Sequence, residues 1–72
     1  MTIQSFINVQ DRHRKFYVVK CDTVNRRVTC IWGRLGSMGQ TQVSRFLTAT
    51  DTREFAEQKV DTRYAHGYTR IA

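Results

Sequence analysis

The sequence predicts an α+β fold, in which a small antiparallel β-sheet of four to five strands carries one α-helix on one face. Three observations support this prediction. Segments in which apolar and polar residues alternate, or in which β-branched residues are frequent, fill the first two thirds of the chain. Short turn segments separate them, and after residue 51 the apolar residues recur at helical spacing. A chain of 72 residues has room for a single core, so we assign residues 1–72 to one domain.

The first strand is predicted near the start of the chain. Ile3, Ser5, Ile7 and Val9 alternate with mostly polar residues, as in a half-buried strand, although Phe6 lies out of phase. We therefore expect the face that bears Ile3 and Ile7 to be the buried one.

A hairpin is predicted next, with strands at residues 16–22 and 27–35 joined by a turn at 23–26. A two-residue turn at Asn25 and Arg26 would pair Val24 with Arg27 and Cys21 with Cys30. One face of the hairpin would then be apolar. Residues 36–39 form the next turn, where glycines can adopt positive φ angles, and residues 40–47 form a fourth strand.

The helix is predicted to start at a capping box formed by Asp51 and Glu54. Its apolar stripe consists of Phe55, Ala56, Val60 and Tyr64. Gly67 stands where a helix stop belongs, and residues 68–71 can add a short last strand. The sheet face away from the helix is left to water or to a partner.

The net charge of +6 is concentrated in the strand region. Residues 1–50 hold eight of the twelve basic residues but only two of the six acidic ones. Most of these cations are arginines, whose planar guanidinium suits bidentate phosphate contacts, so an anionic partner is expected. The longest apolar run, Phe16–Val19, is too short to span a membrane, and the N-terminus does not resemble a signal peptide. We expect a cytoplasmic protein, nucleoid-associated if it binds DNA, with free thiols and no membrane contact.

The only tryptophan lies in the tripeptide Trp32-Gly33-Arg34. In a strand, Trp32 and Arg34 point to the same face, and Gly33 leaves the backbone between them uncovered. This arrangement predicts a slot in which a base or sugar stacks on the indole and a phosphate binds the guanidinium. The alternative is a core position, because the hairpin pattern places Trp32 on the face of Val28 and Cys30.

Further basic residues are candidates for phosphate contact, because their charge would position an anionic backbone without reading its sequence. They occur in a loop, in a turn and on the fourth strand, and we expect them to form one basic face with Arg34: Arg12, Arg14, Lys15, Arg26, Arg27 and Arg45.

Trp32-Gly33-Arg34, followed by Leu35-Gly36 and Gly39-Gln40, resembles the signature of the WGR domain. The resemblance is strongest over residues 13–71 and is closest to the stand-alone bacterial type. It implies a small antiparallel sheet with one helix and a role in recognising broken DNA, as in poly(ADP-ribose) polymerases. It also implies that Trp32 lies against sugar at the end of a DNA strand and that Arg34 helps to hold the bound assembly together.

Catalysis is not expected, since no serine or cysteine has an evident base beside it. The spacings of Cys21, Cys30, His13 and His66 match no familiar zinc site, so we predict neither a metal nor a cofactor. The basic residues, together with what the resemblance implies, predict a monomeric nucleic-acid-binding module that prefers DNA ends, nicks or other discontinuities, with RNA and poly(ADP-ribose) as further possible ligands. The alternative is a protein-interaction or regulatory module that uses the same face.

Overall fold

A computed structural model describes all 72 residues and contains five strands and one helix. The elements in chain order are β1 (Thr2–Asn8), β2 (Lys15–Asp22), β3 (Arg27–Arg34), β4 (Gln40–Arg45), α1 (Ala49–Ala65) and β5 (Thr69–Arg70). The strands form one antiparallel sheet in the order β4-β3-β2-β1-β5, and α1 packs on one of its faces. The predicted α+β class is confirmed. The helix is neither long enough nor apolar enough to cross a membrane.

The core lies between α1 and the three central strands. Phe6 on β1, Val19 on β2 and Val28 on β3 are almost fully buried and meet Ala56 on the helix. Burial of one such aliphatic or aromatic side chain contributes about 1.5–3 kcal/mol to the free energy of unfolding. Because few side chains are buried this deeply, each of them accounts for a large share of the stability of the domain.

The buried face of β1 is the opposite of the predicted one. Phe6, which breaks the alternating pattern, packs edge-to-face on Tyr64 with ring centroids 5.5 Å apart. Asn8 is also buried on this face, and its side-chain amide donates a hydrogen bond to the carbonyl of His66 at the end of α1. Ile3 and Ile7 therefore lie on the face away from the helix. The prediction was wrong because one buried phenyl ring and one capping amide outweigh the regular spacing of the isoleucines.

The β2–β3 hairpin has a different register from the predicted one. Asp22 pairs with Arg27, Cys21 with Val28, and Val19 with Cys30, so the loop contains the four residues 23–26. Arg26 closes this loop with a positive φ of 54°. The shift of two residues keeps the apolar side chains on one face, but the two thiols are not directly opposite each other.

The carboxylate of Asp22 fixes this loop. It accepts hydrogen bonds from the side-chain amide of Asn25 at 2.8 Å and from the backbone N–H of Asn25 at 3.1 Å, and its nearest cation is Arg27 at 3.8 Å. The two bonds from Asn25 hold the pKa of Asp22 below its ordinary value of 3.8. A local carboxylate turn of this kind explains why a loop without an Asn-Gly pair still forms a defined hairpin.

The variant Asp22→Asn is expected to be less stable than the unmodified protein at pH 7. Because the pKa is lower in the folded state, the ionised carboxylate stabilises the fold above pH 3.8, and this stabilisation is lost as the pH falls through the folded-state pKa. The melting temperatures of Asp22→Asn and of the unmodified protein, measured by circular dichroism from pH 2 to 7, should therefore converge at the acidic end. Asn25→Ala should weaken the pH dependence of the melting temperature. If the melting temperatures of Asp22→Asn and of the unmodified protein differ by the same amount at every pH, the ionised Asp22 carboxylate does not stabilise the loop.

The helix starts earlier than predicted, with Thr48 as its N-cap. The Thr48 hydroxyl accepts the N–H of Asp51 at 3.0 Å, so Asp51 is the third helical residue and not the cap. The acidic residue remains favourable there because it lies near the positive end of the helix dipole. At the other end, Gly67 has a φ of 84° and the N–H of Tyr68 bonds to the carbonyl of Arg63, which confirms the predicted helix stop.

Candidate nucleic-acid interface

A basic pocket forms where the β1–β2 loop meets the end of β3. Lys15 pairs with Arg34 across the sheet, and the N–H of Leu35 donates to the carbonyl of Arg14 at 2.9 Å. These contacts close a pocket of about 490 Å³, which we call the basic pocket. Its lining residues are Arg12, His13, Arg14, Lys15, Arg34 and Leu35.

The electrostatics of the basic pocket favour an anion. No acidic side chain lines it, and neither its arginines nor its lysine form an ion pair. One terminal nitrogen of Arg14 donates to the carbonyls of His13, at 2.8 Å, and Val9, at 3.3 Å. This guanidinium is therefore held in place with donors to spare, an arrangement that suits the oxygens of a phosphate.

Trp32 lies beside the basic pocket on the helix side of the sheet. Its ring stacks on Tyr17 with centroids 6.0 Å apart and an interplanar angle of 20°, and the side chain is half-buried. The position is thus partly a core position, as the hairpin pattern predicted. Strand alternation places Arg34 on the same side, about 7 Å further along β3. Trp32 itself does not line the basic pocket.

The backbone at Gly33 is covered on the face opposite Trp32. A Cβ atom on Gly33 would lie 2.8 Å from the Cα of Gly39 and 3.2 Å from the hydroxyl of Ser37. The turn at residues 36–39 therefore folds against the strand on the side opposite Trp32. Gly33 is needed for this close packing of backbone on backbone, which takes place on the face opposite the predicted slot.

Arg63 on α1 packs on Tyr17, the ring that stacks on Trp32. It was not among the site residues predicted from the sequence. The guanidinium carbon of Arg63 lies 4.1 Å from the ring centroid of Tyr17 and 5.2 Å from that of Tyr68. Its Nε atom is buried without a hydrogen-bond partner. Arg63 follows the buried Ala56 by seven residues, two helical turns, and this spacing could have identified it as an inward-facing residue.

Tyr17 occupies the centre of this aromatic group. Burial and a hydrogen bond with Cys30 raise its pKa to about 12, although the charge of Arg63 acts in the opposite direction. The phenol is therefore neutral at physiological pH. Stacked between the indole of Trp32 and the guanidinium of Arg63, it links the strand that bears the candidate site to the helix.

The predicted site residues divide into two groups. Trp32, Gly33 and Arg34 lie at one end of the sheet with Arg12, Arg14 and Lys15. At the other end Arg27 pairs with Arg45, and the carbonyl of Arg26 accepts the N–H of Phe46. Seven residue steps of β3 separate Arg27 from Arg34, about 23 Å.

The two groups also point to different sides. Alternation along β3 places Arg34 with Trp32 on the helix side, and Arg27 with Arg45 on the opposite side. The expectation of a single basic face was therefore wrong. The pairing of the strands determines at which end and on which side of the sheet each of these basic side chains lies. No group of three His, Cys, Asp or Glu side chains comes together.

Comparison with known proteins gives one family. The family model described as WGR domain matches residues 2–72. The human protein mono-ADP-ribosyltransferase PARP3 is 33% identical over an alignment of 55 residues, and the match covers 72% of this chain and 10% of that protein. A crystal structure of a Bacteroides fragilis protein matches 99% of this chain and 20% of its own with a TM-score of 0.90 and 24% identity, a likeness that shows the fold. The chain thus spans about a tenth of the human relative and a fifth of the bacterial one.

Proposed function

This chain belongs to the WGR domain family, and from that premise and the basic pocket we propose that it is a nucleic-acid-binding module without catalytic activity of its own. The observation that carries the proposal is a pocket lined by three arginines, one lysine and one histidine, with no acidic residue, next to a half-buried tryptophan. Phosphate contacts there would supply affinity without sequence preference.

Trp32 would make the protein prefer DNA in which a base or sugar face is exposed. A flat ring can bind the face of a sugar or base only where that face is exposed, and inside a continuous duplex the base faces are stacked on one another. Because Tyr17 holds the indole in place from one side, little conformational entropy is lost on binding. Ends, nicks and other discontinuities in DNA expose the required surface, so we propose them as the preferred targets.

The emission of Trp32, the single tryptophan, is the direct test. We expect a short blunt duplex to change this emission, and a covalently closed circular duplex of the same base composition to leave it nearly unchanged. Raising the salt concentration should weaken the effect, since log K falls by about 0.9 per phosphate contacted for each tenfold rise in salt. An RNA duplex and poly(ADP-ribose), titrated in the same way, would show whether DNA is the preferred ligand.

Anisotropy of a labelled duplex serves as the control, because it reports binding at any site. Equal emission changes with blunt and circular DNA would contradict the preference for ends. Absence of binding in both measurements would contradict the nucleic-acid function itself.

A further inference from the structure

The sheet face opposite α1 is uncovered, and we call it the open face. Its centre is aliphatic, because Val18 pairs with Ile31, and Ile3 and Val43 lie in the adjacent row on either side of Lys20 and Thr29. Ile3 is 52% exposed and Val43 is 47% exposed. None of these side chains belongs to the core beneath α1. Exposed apolar side chains grouped on one face of a small domain are candidates for an interaction site.

Cations border this aliphatic centre. Lys20 lies within it, and the next row contains Arg27 and Arg45 as a cross-strand pair. The one acidic residue on this face is Asp22, which is buried and bound to Asn25 and Arg27. The open face therefore combines apolar side chains with positive charge that is largely uncompensated.

We propose that the open face docks an acidic amphipathic helix of a protein partner. The apolar face of such a helix, formed by leucine or similar residues, would cover Val18, Ile31 and Val43. Acidic residues beside this face would contact Lys20 and Arg45. Helices on both sides of a sheet form a standard layered architecture, which this domain completes on one side only. The proposal goes beyond nucleic-acid binding, since the basic pocket lies on the helix side and is left free.

Two other occupants fit the open face less well. Bound nucleic acid stacks its bases on aromatic rings, and Phe16, the aromatic residue on this side, lies against the turn at residues 36–39. A second copy of this chain would oppose Lys20, Arg27 and Arg45 to the same cations across a two-fold axis, where like charges repel.

The test uses a labelled 18-residue helical peptide with leucines along one face and glutamates beside them. A second peptide of the same composition, with its leucines distributed around the helix, is the control. We expect the first peptide to shift the methyl resonances of Ile3, Val18, Ile31 and Val43, and to leave the emission of Trp32 unchanged. Val43→Ser and Lys20→Glu should each weaken its binding by about tenfold, whereas Val24→Ser, at an 84% exposed turn valine, should not.

Arg34→Gln should bind the peptide as the unmodified protein does, so failure of the DNA proposal and failure of this one are distinguishable. Equal binding of both peptides, or an unchanged affinity in Val43→Ser and Lys20→Glu, would overturn the proposal. Movement of the same methyl resonances on addition of DNA would assign the open face to nucleic acid. Dimerisation abolished by Val43→Ser would assign it to a second copy.

Discussion

The variant Gly39→Ala is expected to lose about 2–5 kcal/mol of unfolding free energy, from backbone strain and overpacking together. Gly39 has a φ of 73°, which is unfavourable for alanine. Its new methyl group would also meet the carbonyl oxygen of Trp32 and lie 2.7 Å from the Cζ of Phe16. Neither the strand backbone nor a half-buried ring can move far, so the loss is a large share of the stability of a domain of this size. Urea denaturation followed by circular dichroism measures the loss.

Gly36→Ala is the matched control, because the two glycines lie in the same turn. Gly36 has a φ of 89°, but no atom lies within 4 Å of the position where its Cβ would be. It should lose only the strain of the positive φ, about 1–2 kcal/mol. Equal losses in the two variants would show that the contacts with Trp32 and Phe16 have no part in the effect.

The double variant Lys15→Gln with Arg34→Gln is expected to lose DNA affinity by about 10- to 30-fold at 0.15 M salt. Both residues lie in the basic pocket, where they pair across β2 and β3. If each neutralises one phosphate, the slope of log K against log salt should become shallower by about 1.8. Anisotropy titrations at several salt concentrations measure both quantities.

Arg26→Gln with Arg45→Gln removes the same charge from the other end of the sheet. We expect it to leave the DNA affinity within about twofold and the salt slope almost unchanged, because these residues are about 20 Å or more from the basic pocket. A loss equal to that of the Lys15 and Arg34 variant would mean that total charge, and not the pocket, determines binding.

The order and the type of the elements could be predicted from the sequence because each rests on local chemistry. Turn residues, β-branched segments and the helix stop at Gly67 all act over a few positions. The face of β1 and the register of the hairpin could not be predicted in this way. They depend on Phe6 meeting Tyr64, a contact between distant parts of the chain, and on the way the Asp22 carboxylate closes a four-residue loop.

The candidate site was predicted in its parts but not in its arrangement. Arg34 of the motif at residues 32–34 lines one pocket together with the basic residues at 12, 14 and 15, whereas Trp32 and Gly33 do not line it. Arg26, Arg27 and Arg45 could not be separated from them without the strand register. Arg63 was missed because an arginine near a helix end suggests solvent, whereas here two tyrosine rings enclose it.

The strand order has a consequence for how the chain folds. Each of the first four strands lies beside its sequence neighbour, so the sheet can assemble through three hairpins that close only short loops. The pairing of Phe6 with Arg70 instead joins the two ends of the chain and must wait for α1 to cross the sheet. Contacts that close long loops are slow to form, so docking of α1 and β5 should be the last step of folding. Unfolding should begin there too, and hydrogen exchange should therefore protect the amides of β2 and β3 longest.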